Sequence, residues 1–335
     1  MTTTTMTMTM TMIMMMMMMM MMMMMMMMMT TTIMINVRIC TTYCCNHINF
    51  RKSVCVSVDC ECEMTQSSEV ELDEEDVYGM ARLHDKLYLL SDCIFIRRLQ
   101  HPFSSVGEIE IPEIESPQKI VSCTKTSCLY IYDKDADSIW KVSIPDQRVS
   151  LWLDEVKKPG ALSVTSNAEL LMLRNSKPVC VKVYNEHAIL LQRVKLPTTI
   201  TSLSSFDETP YGKYIGVGEK SVFTFRKNGI IMSQFPPSKG AFFQGDPRFV
   251  NVSPYHVFLQ CCSYYNKRPN PRCGSISSLT LDLEDHEILV RQSNGWASPV
   301  ESCYLKETKQ LLVLEVTASR NHDTWNLKTY NVLPG

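Results

Sequence analysis

The stretch Tyr264-Tyr265-Asn266-Lys267-Arg268-Pro269-Asn270-Pro271-Arg272 sets two aromatic rings beside three cations. Rings that stack next to positive charge suit single-stranded nucleic acid or an acidic peptide. Tyr264, Tyr265, Lys267, Arg268 and Arg272 are therefore the candidate contacts, and the plain alternative is a solvated loop kept soluble by its charges. Asp133-Lys134-Asp135-Ala136-Asp137 opens like a calcium loop. Such a loop next needs Gly at its sixth position and Glu at its twelfth, and Ser138 and Ile144 stand there instead. Asp133 follows an apolar Leu-Tyr strand, as Asp92 does in the preceding repeat, so an Asx-type bond ordering the turn is expected in place of a metal.

Catalytic signatures are absent from the chain. It has no Gly-x-Ser-x-Gly elbow, no phosphate-cradling Gly-Lys-Ser/Thr loop and no His-Glu-x-x-His. The seven histidines (His47, His84, His101, His187, His256, His286, His322) form no local pairs. Gly216-Val217-Gly218 lies inside a strand, where a bulge or close packing is expected before a nucleotide cradle. No cofactor is expected. Eight cysteines from Cys93 to Cys303 are scattered over strand positions, where free Cys acts as a small buried hydrophobe. A chain of this length needs no disulfides to supply a core, and with no secretion signal this points to a reducing, cytoplasmic setting.

Six more cysteines, Cys40, Cys44, Cys45, Cys55, Cys60 and Cys62, crowd near His47. The chain contains no Cys-x-x-Cys pair, and no second ligand pair recurs at zinc-module spacing. Residues 1–36 are almost pure Thr, Met and Ile, with sixteen consecutive methionines from Met14 to Met29. That tract reads as a translated microsatellite, and residues 1–63 as a whole read as disordered or the product of a mispredicted start. Met12 to Met29 is also 18 apolar residues long, the lower limit for a membrane span. Were it to insert, Arg38, Arg51 and Lys52 would hold the rest of the chain on the cytoplasmic side. The net charge of −2, from 33 basic and 35 acidic residues, lacks the basic footprint of a duplex-DNA binder.

The elements that must position these residues repeat. Units begin near Val77, Pro117, Pro159, Thr201, Pro247 and Pro299, at spacings of 40, 42, 42, 46 and 52 residues. Each unit carries a short apolar run, such as Leu87-Tyr88-Leu89-Leu90, Leu129-Tyr130-Ile131-Tyr132 or Leu311-Leu312-Val313-Leu314. A polar loop and an alternating strand follow, as in Ile139-Trp140-Lys141-Val142. Four short strands per unit of about 40 residues predict an all-β, six-bladed β-propeller over residues 64–335. The sixth unit lacks an outer strand, and Glu69-Val70-Glu71-Leu72 is expected to supply it, so that the ring closes and a sheet edge is removed.

With Leu129-Tyr130-Ile131-Tyr132-Asp133 followed by Ser138-Ile139-Trp140-Lys141-Val142, and with Pro opening the units, residues 69–335 resemble NHL-type propellers of the TolB-like group. These include the C-terminal rings of TRIM-NHL proteins. The resemblance implies a recognition ring whose loop faces bind a protein partner, with RNA as a second class. The RING, B-box and coiled coil of those proteins have no counterpart here, so ligase activity is not implied. The alternative from another class is a calcium-dependent propeller hydrolase, lactonase- or esterase-like. That enzyme would need oxygen ligands converging on the ring axis, where Ser122, Ser163, Ser166 and Asn167 occur.

Overall fold

The computed structural model describes residues 63–72, 77–91, 95–100, 103–218, 221–235, 246–262, 264–265, 268–269, 275–283, 286–291, 297–305, 307–317 and 324–333. Their secondary structure is strand and turn throughout, arranged as a six-bladed β-propeller of four-stranded antiparallel blades. The N-terminal tract, its cysteine cluster and Asp92 lie outside the described residues.

β1 (Glu63–Leu72) comes first in the chain but joins the last blade. Blade 1 holds β2 (Val77–Leu83), β3 (Lys86–Ser91), β4 (Phe95–Gln100) and β5 (Ser104–Glu110). Blade 2 holds β6 (Pro117–Cys123), β7 (Cys128–Asp133), β8 (Ser138–Ser143) and β9 (Arg148–Leu153). Blade 3 is β10 (Ala161–Val164), β11 (Leu170–Arg174), β12 (Cys180–Tyr184) and β13 (Leu190–Lys195). Blade 4 is β14 (Ser205–Glu208), β15 (Tyr214–Val217), β16 (Val222–Phe225) and β17 (Ile231–Phe235). Blade 5 contains β18 (Asp246–Val252), β19 (His256–Cys262), β22 (Ser275–Thr280) and β23 (His286–Arg291), with the ribbon β20 (Tyr264–Tyr265) and β21 (Arg268–Pro269) inserted after β19. Blade 6 runs β24 (Ala297–Leu305), β25 (Gln310–Thr317), β26 (Thr324–Leu333), then β1.

β1 pairs antiparallel with β26 from Glu63↔Leu333 to Leu72↔Trp325, so both ends of the strand-bearing chain meet in one blade. The inner strands β2, β6, β10, β14, β18 and β24 neighbour one another in sequence, and β24 neighbours β2.

The core lies between blades. β7 is buried at all six positions, because each of its faces meets a different neighbour. Leu129 and Ile131 join a cluster with Tyr88, Leu90 and Ile109 of blade 1. Cys128, Tyr130 and Tyr132 join another with Leu170 and Met172 of blade 3. The same division recurs in β25, where Leu311 and Val313 pack toward blade 5 and Leu312 and Leu314 toward blade 1. A strand covered on both faces reads as a continuous apolar run instead of an alternating one. Each fully buried aliphatic side chain contributes about 1.5–3 kcal/mol relative to exposure.

Gly216 in β15 is a case of close packing, since a Cβ there would lie 2.9 Å from Leu203 Cδ1 and 3.1 Å from the Phe225 ring. The pairing of β15 with both neighbours runs without a register shift. Bulges occur elsewhere, near the start of the inner strands of blades 1, 2, 5 and 6. A bulge bends and twists its strand, here where the chain turns into the channel wall.

Candidate functional site

The six inner strands surround a cavity of about 590 Å³. Its lining continues into the turns between the first and second strands of the blades, including His84, Lys125, Ser166, Pro210 and Glu307. The channel therefore has a rim made of these turns.

Three of the rim turns are built alike. Thr165, Thr209 and Ser253 follow one another at 44-residue intervals and are each buried. Thr165 Oγ1 accepts from the N–H of Asn167 and Glu169, Thr209 Oγ1 from Lys213 N–H, and Ser253 Oγ from Tyr255 and His256 N–H. A hydroxyl that satisfies turn N–H groups fixes the turn without a metal or disulfide. In blades 4 and 5 the next two residues are Pro-Tyr, and the rings stand out into solvent: Tyr211 is 70% exposed and Tyr255 68%. A rigid tyrosine on a braced turn is a side chain that loses little entropy on contact.

Most polar groups of the channel wall are engaged in joining one blade to the next. Ser122 Oγ donates to the Arg82 carbonyl, and Ser163 Oγ donates to Asp207 Oδ1 at 2.6 Å. Ser166 gives both its N–H and its hydroxyl to Glu208 Oε2. Asn251 Nδ2 donates to Ser302 Oγ, and His84 Nε2 lies 3.0 Å from Ser127 Oγ. Arg82 pairs with Glu307, while Lys227 pairs with Glu208 at 2.9 Å. Burial pushes the Glu208 carboxyl up, but Lys227 and the two Ser166 bonds outweigh it and hold the group below its usual range. The serines that stand where a calcium-dependent hydrolase would need its ligands thus act as stitches between blades, and Asn167 is an exposed turn residue.

Lys119 and Glu301 differ from this pattern. Each stands four residues before the last paired residue of its inner strand, Cys123 or Leu305, and each directly follows a bulge. Burial pushes the Glu301 carboxyl up to about 7, against the pull of the Ser302 N–H and of Lys119. Burial pushes the Lys119 ammonium down, against Glu301. No direct salt bridge joins the two, and both line the cavity, so each opens onto channel space while protein surrounds it. Burial likewise pushes the neighbouring Cys303 thiol up to about 12.

Asp133 is fully buried, and its carboxylate serves two segments at once. Oδ1 accepts from the N–H of Asp135, Ala136 and Ser116, and Oδ2 accepts from Glu115 N–H at 3.0 Å. Both oxygens are filled by backbone donors, an arrangement that holds a turn against the preceding connection.

The backbone of Tyr264-Tyr265 pairs with that of Arg268-Pro269. The side chains of Tyr264, Tyr265 and Arg268, and all of Lys267 and Arg272, lie outside the described residues. Among the described residues no group of three or more His, Cys, Asp or Glu is placed to hold a metal. None of them forms a helix long and apolar enough to cross a membrane, and the methionine tract falls outside them. Sequence reasoning missed the Tyr211/Tyr255 rim, although Pro-Tyr recurs at 210–211 and 254–255, one blade apart.

No family model matches the sequence, and no curated protein matches it. Likeness to solved structures is broad, with 967 matching chains. One is hydrazine synthase from Kuenenia stuttgartiensis, at 10% sequence identity and a TM-score of 0.54, over 74% of this chain and 78% of that one. At that identity the likeness shows the propeller fold alone.

Proposed function

We propose that this chain is a non-catalytic recognition ring that binds a protein partner at the rim formed by the turns between first and second strands. The observation that carries the reading is the pair of exposed tyrosines, Tyr211 and Tyr255, held on matched, hydroxyl-braced turns of adjacent blades. Tyrosine is enriched among the residues that dominate protein interfaces. Two cations beside the rim turns, Arg82 and Lys227, are paired with Glu307 and Glu208, which leaves them little pull on a phosphate backbone. Within this reading the kinship is with NHL-type rings, on the strands Leu129–Asp133 and Ser138–Val142, and the setting is the cytoplasm.

The test is a crosslinked pull-down with the full chain, read by mass spectrometry and by RNA sequencing. It is run beside Tyr211→Ser/Tyr255→Ser and Lys267→Ser/Arg268→Ser/Arg272→Ser. A protein captured in a saturable, purifiable complex and lost from the tyrosine variant supports the proposal. Capture of RNA that depends on Lys267, Arg268 and Arg272 would replace it with an RNA-binding function for the blade 5 insertion. A complex indifferent to Tyr211 and Tyr255 would move the site off the rim.

A further inference from the structure

Blade 2 ends its inner strand in one cysteine and begins its second strand with another. Cys123 and Cys128 are direct cross-strand partners, the last pair before the turn Thr124–Ser127. Directly opposed residues of an antiparallel ladder have Cα atoms about 4.5 or 5.5 Å apart, depending on the type of pair. Both spacings fall in the range a disulfide spans, roughly 4.4–6.8 Å. Both side chains point to the blade 3 side of the sheet, in one cluster with Tyr130 and Met172. Both are free thiols, 1% and 0% exposed.

Their surroundings are unequal. Cys123 borders the channel cavity, whereas Cys128 does not. A hydrogen bond from Cys128 holds the Cys123 thiol well below its ordinary range despite burial, with Thr126 and the Lys125 N–H adding to it. The same contact, with burial, pushes Cys128 up. Thr126 Oγ1 lies 3.0 Å from Cys128 Sγ. The register sets the two cysteines face to face on one side of the blade, and Cys123 is one of the residues that line the channel.

We propose that Cys123 and Cys128 form a redox-active dithiol, with Cys123 the peroxide-reactive thiol at the channel wall and Cys128 its resolving partner. The reaction balances with hydrogen peroxide as oxidant. The Cys123 thiolate attacks one peroxide oxygen, the O–O bond breaks, and the departing hydroxide takes a proton and leaves as water, giving a sulfenic acid. Cys128 sulfur then attacks the Cys123 sulfur, an S–S bond forms, the S–O bond breaks, and the Cys128 proton leaves with a second water. Two thiols and one peroxide become one disulfide and two waters, and a small dithiol reductant reverses the change. The inference stands apart from the recognition proposal, because it concerns blade 2 chemistry and needs no partner.

Tryptic cleavage after Lys119, Lys125 and Lys134 places the two cysteines on separate peptides, Ile120–Lys125 and Thr126–Lys134. The reduced full chain is treated with hydrogen peroxide, the remaining thiols are blocked with N-ethylmaleimide, and the digest is mapped without reduction. The expected product is the linked pair of these peptides, released by dithiothreitol and forming about tenfold faster than oxidation at other cysteines. In guanidinium chloride that priority should vanish. In Cys128→Ser, a dimedone adduct should accumulate on Cys123. If the folded native chain forms no such linked pair while other cysteines oxidise, the proposal is overturned, whether or not the variant folds. Equal rates in folded and denatured chain would overturn it as well.

Discussion

Replacing Asp133 by Ala removes the acceptor for four backbone N–H groups at once. A hydrogen bond to a charged group contributes about 1.5–3 kcal/mol net. The four are not additive. Asp135, Ala136 and Glu115 are exposed residues whose N–H groups can turn partly to water, while Asp133 itself is fully buried. Counting one bond to the turn and one to the connection, and allowing for that rehydration, the loss comes to about 3 kcal/mol. For a domain of this size each kcal/mol lowers the melting temperature by roughly 2–4 °C, so a fall of about 6–12 °C is expected. Asp133→Asn keeps the volume and one acceptor oxygen but turns an amide donor toward the other N–H groups. It should lose about half as much, which separates hydrogen bonding from packing. The assay is thermal and urea unfolding by circular dichroism, repeated with millimolar calcium. The reasoning is refuted if both variants unfold within ~0.5 kcal/mol of the native chain, or if calcium raises the native melting temperature and Asp133→Ala abolishes the rise.

Gly216→Ala places a methyl group 2.9 Å from Leu203 Cδ1 and should cost about 1–3 kcal/mol of stability by overpacking, measured by urea unfolding. Glu301 titrates near 7 in the ring against an ordinary 4.5, so between those values the folded state holds the extra proton and stability falls as pH rises. Glu301→Gln should flatten that slope relative to the native chain in melting curves taken from pH 5 to pH 7.5; an unchanged difference would show that burial does not perturb the group. Deleting residues 63–72 strips the antiparallel partner from β26 and should lower the melting temperature sharply or send the protein into aggregates by exposing a sheet edge; an unaltered melting curve would sink the closure role of β1. Lys267→Ser/Arg268→Ser/Arg272→Ser should leave stability within ~0.5 kcal/mol, and unfolding of that variant would make the insertion a structural element.

The propeller was legible because its strongest signal is periodic and local. The runs Leu87–Leu90, Leu129–Tyr132 and Leu311–Leu314 are apolar throughout since both of their faces are covered, and the turns between them are polar. The channel wall was not legible, for the opposite reason. Every blade contributes to it, so Lys119 and Glu301 line one cavity although 182 positions separate them, and Ser163 finds Asp207 one blade on. Ser122 and Ser163 look like failed ligands in the sequence because a stitch between blades leaves no local motif. Asp133 could be read, since its counterpart Asp92 follows the same kind of strand. Cys123 and Cys128 were lost among scattered cysteines, although a hairpin register drawn through Thr124–Ser127 sets them face to face.

The two-sided burial of the second strands separates neighbourhood in the chain from neighbourhood in energy. Leu129 and Tyr130 are adjacent residues, yet they belong to different interfaces, so their substitutions should add with little coupling. Tyr130 and Met172 lie 42 positions apart in one cluster, and their double-mutant cycle should depart from additivity by about 0.5–3 kcal/mol. Epistasis in this ring therefore runs along circles of alternating residues, and compensating changes in related chains should pair positions one blade apart and skip the residue next door.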